Sequence, residues 1–120
     1  VGIQLEGLVG KKQYLETKYL NPVEMAQQYS DVLRNEKKCD LVICLSHIGY
    51  DYKDDPKKVS DKILAAQTEG IDLILGGHTH TFLPEPQNFI NRKGKNVLVN
   101  QVGWAGLILR KIDFYIHCQL

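Results

Sequence analysis

Two short apolar runs, each ending in a histidine-bearing turn, constrain this chain more than any other feature. The first is Asp40-Leu41-Val42-Ile43-Cys44-Leu45, followed by Ser46-His47-Ile48-Gly49. The second is Ile71-Asp72-Leu73-Ile74-Leu75, followed by Gly76-Gly77-His78-Thr79-His80. Runs of this length and apolarity fit strands covered on both faces. Between them, residues 59–69 carry Ile63, Leu64 and Ala66 and stop at Gly70, which predicts a helix. Three of the four histidines thus fall directly after strand-like segments.

The flanking sequence extends this alternation. Asn21-Pro22-Val23-Glu24 predicts a helix start: Asn21 caps, Pro22 fits the first turn, and Glu24 can return a bond to the cap. Ala26, Tyr29 and Leu33 continue it at helical spacing, and residues 35–38 end it with cations that suit the negative pole. Residues 97–99 predict a short strand. Residues 1–9 and 107–116 predict a first strand and a last, half-exposed one. Residues 10–20, 50–58 and 81–94 predict loops. The order implies an α/β fold with parallel strands joined by right-handed crossovers. Ligands of such sheets bind outside the carboxyl ends of the strands. The residues at those ends are Ser46-His47, His78-Thr79-His80 and Asn100-Gln101.

Composition narrows the function. At 120 residues the chain makes one domain at most, and 43% hydrophobic with 24% charged residues is ordinary for a globular protein. With a net charge of +1, a polyanion-binding surface is not implied, and no nucleic-acid partner is expected. The apolar runs fall far short of the roughly 20 residues of a membrane span. Cys39, Cys44 and Cys118 are odd in number and lack C-x-x-C spacing, which argues against a disulfide framework or zinc knuckle. Cys44 is expected to be a buried small hydrophobe and Cys118 to be open to solvent. The absence of an initial Met and the apolar opening read as a cut chain, so a missing targeting segment carries no information.

His47, His78 and His80 are the candidate metal ligands. Neutral imidazole is the commonest protein metal ligand, and glycines beside the rings leave room for an ion. Each histidine has a plainer alternative: a loop residue bonded to water for His78 and His80, a core-edge residue for His47. The Gly-Gly lead-in and the shared strand-end position favour one metal site. Three imidazoles can hold a zinc ion with a fourth position open for water, which the ion acidifies while polarising an ester oxygen. Imidazole suits zinc, manganese, iron and others, so the metal is not named by its ligands. Asp51, Asp54 and Asp55 read as a solvated face. Asp40 and Asp72 open strands at the opposite end from the histidines. His117 is assigned no role, and Trp104 is expected to pack on the sheet edge. A G-x-G-x-x-G turn is absent, which disfavours a Rossmann-type nucleotide binder.

The two histidine segments resemble the last two metal motifs of the calcineurin-like metallophosphoesterases, and most closely those of the 5'-nucleotidase family. Asn21-Pro22-Val23-Glu24, Gly70-Ile71-Asp72-Leu73-Ile74 and Asn100-Gln101-Val102-Gly103-Trp104-Ala105-Gly106 look like that family in order and spacing. The resemblance implies that residues 1–120 are the carboxyl-terminal part of a catalytic domain, half of a four-layer α/β/β/α sandwich. It implies two divalent metal ions (Zn, Mn or Fe) and hydrolysis of phosphate monoesters, probably of 5'-nucleotides. By the same resemblance His47 and His78 look like ligands of one metal and His80 of the other. No catalytic residue is assigned, and the substrate-binding residues are unknown. Segment 101–106 resembles a loop beside the active site. The family's Asp-x-His, Gly-Asp-x-x-Asp and Gly-Asn-His motifs do not occur in the chain, and Arg110 stands where relatives often carry Gly. Relatives of this kind are mostly exported or cell-surface enzymes. The alternative from a different class is a non-catalytic metal-binding or interaction module. A half-domain would leave a strand edge and an apolar face uncovered, so self-association is expected.

Overall fold

A computed structural model describes residues 1–117. Four strands form one sheet in the order β1-β2-β4-β3: β1 Ile43–Leu45, β2 Leu73–Leu75, β3 Gln87–Ile90 and β4 Asn96–Asn100. β1, β2 and β4 run parallel, with Cys44 opposite Ile74 and Ile74 opposite Val99. β3 returns antiparallel to β4, with Phe89 opposite Val97. The α/β class and the parallel central strands agree with the sequence reading.

Two helices cover one face of this sheet. α2 spans Pro22–Asp31, after a single turn α1 at Lys11–Tyr14, and α3 spans Asp61–Gln67. The Asn21 side chain accepts from the Val23 and Glu24 amides at 3.0 and 3.5 Å, which caps α2 as predicted. Glu24 returns a contact to the Asn21 side-chain amide at 3.5 Å rather than to its backbone. A wide π-turn, Val32–Glu36, ends α2. α3 begins later than predicted because Ser60 is its cap, accepting from the Ile63 amide. Leu64 and Ala65 of α3 pack with Ile74, Val97, Val99, Ile71, Val42, Ile48 and Ala26. Leu64 is fully buried, and truncating such a leucine costs about 2–5 kcal/mol.

Five expectations are corrected. Residues 1–9 form no strand; they carry two isolated parallel bridges, Gly2 to His47 and Glu6 to Val9. Residues 107–116 are irregular, with Leu107 and Leu109 exposed. Both segments have strand-like composition but lie along no ladder, and an apolar pattern needs a neighbouring strand to pair with. β1 is an edge strand: Ile43 and Leu45 are exposed, because the helices cover only the opposite face. Tyr29, expected on the buried helix face, is exposed as well. Finally, β3 lies within residues 81–94, expected as loop on account of Pro84 and Pro86. The Asn91 side chain accepts from the Lys93 and Lys95 amides, and Gly94 takes a positive φ of 75°, which closes a β3–β4 hairpin.

Cys44 is half-buried against the core, and the expectation for Cys118 lies outside the described residues. Among the described residues no helix is long and apolar enough to cross a membrane. Arg34 stitches the amino ends of the strands: its guanidinium donates to the carbonyls of Gly70, Cys39 and Asp40 and pairs with Asp72. Asp72 also accepts from the Val42 amide at 2.7 Å. This is the end of the sheet opposite the histidines, so the position predicted for Asp40 and Asp72 holds.

Candidate metal centre

The turns after β1 and β2 are joined by their backbones. Ser46 N donates to Leu75 O at 2.9 Å, and Gly49 N donates to Gly77 O at 3.1 Å. His47 N donates to Val1 O, so the first residue of the chain also rests on this turn. These bonds bring the His47 and His78 rings to 5.4 Å between centroids, edge to face at 68°.

Gly77 makes the approach possible. A methyl group on it would stand 3.1 Å from His47 Nδ1, close enough to crowd the ring. His78 adopts a positive φ of 83° and His80 one of 53°, conformations that L-residues rarely take and that need support from the surroundings. Burial holds the His78 pKa below the usual imidazole value, with smaller contributions from His47, Lys58 and His80. The ring is therefore largely neutral at neutral pH and keeps a lone pair free for an electrophile.

His80 stands differently. It is exposed, and its ring stacks on Trp104 at 5.6 Å and 11°. Trp104 itself is exposed, so it covers a histidine rather than packing on the sheet edge as predicted. Among the described residues, no three His, Cys, Asp or Glu side chains gather closely enough to enclose an ion. The donor set is thus a pair of imidazoles on an open rim. That pair suits a borderline metal that takes its remaining ligands elsewhere. Clefts of about 420, 560 and 440 Å³ occur on the surface of the described residues, and none of these is lined by a histidine.

Two residues below the rim carry structure that the motifs did not reveal. Asp61, fully buried in the first turn of α3, accepts from Ser46 Oγ at 2.6 Å. Burial pushes its pKa up to about 6 against the opposing effect of that hydrogen bond, and its Oδ2 has no hydrogen-bond partner. A carboxylate at a helix start ordinarily reads as a dipole partner, which concealed this one. Gln101, noted at the end of the β4 segment, is 1% exposed and bonds the second histidine turn from beneath.

The chain is similar to known phosphoesterases. It is 32% identical over 113 residues to an apyrase of Tabanus yao, covering 82% of this chain and 19% of that protein. It is 34% identical over 90 residues to the trifunctional nucleotide phosphoesterase protein YfkN of Bacillus subtilis (strain 168), covering 75% and 6%. Among solved structures, the 5'-nucleotidase precursor from Thermus thermophilus superposes with a TM-score of 0.56 at 33% identity, over 68% of this chain and 17% of that one. No family model matches the chain. It spans less than a fifth of the length of the relatives it matches.

Proposed function

From the premise that this chain is a region of a 5'-nucleotidase-family metallophosphoesterase, we propose that it supplies imidazole ligands to the metal centre of a nucleotide phosphohydrolase. The observation that carries the reading is the His47–His78 pair, two rings 5.4 Å apart beyond the carboxyl ends of adjacent parallel strands. His47 and His78 would hold one divalent ion, and His80, turned onto Trp104, a second. When bound, such ions polarise phosphate oxygens and make water a usable nucleophile near neutral pH. The chain's own residues do the positioning. Gly77 leaves the space beside His47, burial favours the neutral form of His78, and the hydrogen bonds between the two turns fix the ring separation. A nucleoside monophosphate or a similar ester is the proposed substrate of the whole enzyme.

Calorimetric titration of the 120-residue chain with zinc tests this. Binding that is lost in His47→Ala and in His78→Ala supports the reading. Unchanged binding in both variants, or none in the parent chain, overturns it for these residues.

A further inference from the structure

The Gln101 side chain hydrogen-bonds to the backbone on both sides of His78 rather than to a histidine ring. Its Nε2 donates to Gly77 O at 2.9 Å. Its Oε1 accepts from Thr79 Oγ1 at 3.0 Å and from the Thr81 amide. The partners determine how the carboxamide is turned: a carbonyl needs the amino end, and a backbone N–H needs the oxygen.

The same network extends to the other histidine turn. Thr79 Oγ1 gives its single proton to Gln101 and accepts from the Tyr50 amide at 3.0 Å. Gly77 O accepts from both Gln101 and the Gly49 amide. The backbone of Gln101 adds a bond to Leu83, and that of Asn100 one to Gly76. One buried side chain from the end of β4 therefore ties residues 77–81 to residues 49–50. Those two segments bracket His78 and follow His47. The positive φ angles of His78 and His80 lie within the stretch that Gln101 spans.

We propose that Gln101 is a positioning residue that holds the His78 turn against the His47 turn and so sets the ring pair for metal. The inference rests on the proposed role of that pair. Its mechanism is mechanical: with the carboxamide removed, Gly77 O and the Thr81 amide lose a buried partner, and the turn is free to relax from its unusual backbone conformation.

The test uses the full 120-residue chain with Gln101→Met, Thr79→Val and Thr79→Ser. Two quantities are read: cobalt(II) affinity by titration, and proximity of the His47 and His78 ring protons by cross-relaxation in the metal-free chain. Gln101→Met is expected to lower cobalt affinity roughly 10- to 100-fold, the range found when partners of metal ligands are removed. The ring contact is expected to weaken with it. Thr79→Val, which breaks the same network should Gln101→Met fail to fold, is expected to act in the same direction. Thr79→Ser keeps the hydroxyl and is expected to restore both readouts. Cobalt affinity within twofold of the parent together with an intact ring contact in Gln101→Met, or in Thr79→Val if that is the folded variant, would overturn the proposal. A parent chain that binds no cobalt refutes the metal reading, while the ring contact still decides the role of Gln101.

Discussion

Asp61 lies directly against Gly76: a methyl group built on that glycine would come within 2.0 Å of Asp61 Oδ2. The helix following the His47 turn and the turn that leads to His78 are thus in contact through a carboxylate and a missing side chain. Gly76→Ala is expected to destabilise the chain by about 1–3 kcal/mol, the usual cost of overpacking a filled site. Urea denaturation measures it. Asp61→Ala should recover part of that loss in the double variant, because the two changes share one space.

The same carboxylate predicts a pH dependence. Its pKa is raised from 3.8 to about 6, chiefly by burial. The folded state then binds the proton more tightly than the unfolded state. The stability this group contributes is fully present below pH 3.8 and is lost as pH rises through about 6. Asp61→Asn keeps an acceptor for Ser46 and removes the titration. Compared with this variant, the parent should lose on the order of 1–3 kcal/mol between roughly pH 4 and 7. Parallel stability curves for the two proteins would contradict the assignment.

Arg34 should matter more than its place in the π-turn after α2 implies. It is the common donor to Gly70, Cys39 and Asp40 and the ion-pair partner of Asp72. Arg34→Ala removes the guanidinium from the three carbonyls and leaves Asp72 with the Val42 amide. A loss of about 1–3 kcal/mol is expected in thermal or denaturant unfolding. Zinc binding at the opposite end of the sheet should change little in the folded fraction.

The uncovered edge predicts association. Ile43 and Leu45 of β1 stand exposed beside Tyr29 and Leu20 along one apolar cleft. Unpaired edges and apolar patches draw chains together. Sedimentation across a concentration series is expected to show species larger than a monomer, and Leu45→Lys to reduce them. A clean monomer at every concentration would be inconsistent with this.

Local sequence was enough to locate α2, α3 and the central strands. Their signals are short-range: the Asn21 cap, the helical spacing of Ile63, Leu64 and Ala66 with the stop at Gly70, and continuous apolar runs. It was also enough to mark the histidine turns, because glycines directly before His78 and a strand directly before His47 lie within a few residues of the rings. The strand expected at residues 1–9 and the one expected at 107–116 failed for the opposite reason. A strand exists only where another strand offers hydrogen bonds, and no local pattern reports that. β3 was hidden by Pro84 and Pro86 just before it and formed because Asn91 and Gly94 fold it back on β4.

Residue order by itself determined an alternating α/β chain with imidazoles at the carboxyl ends of its strands. Tertiary structure alone decided which rings meet, with His47 beside His78 and His80 turned onto Trp104. It alone made Asp61 and Gln101 part of that arrangement. Their partners lie 15 to 24 residues away in sequence. Hydrogen-bond geometry across such separations is set by how strands and helices pack, and periodicity along the chain carries no record of it.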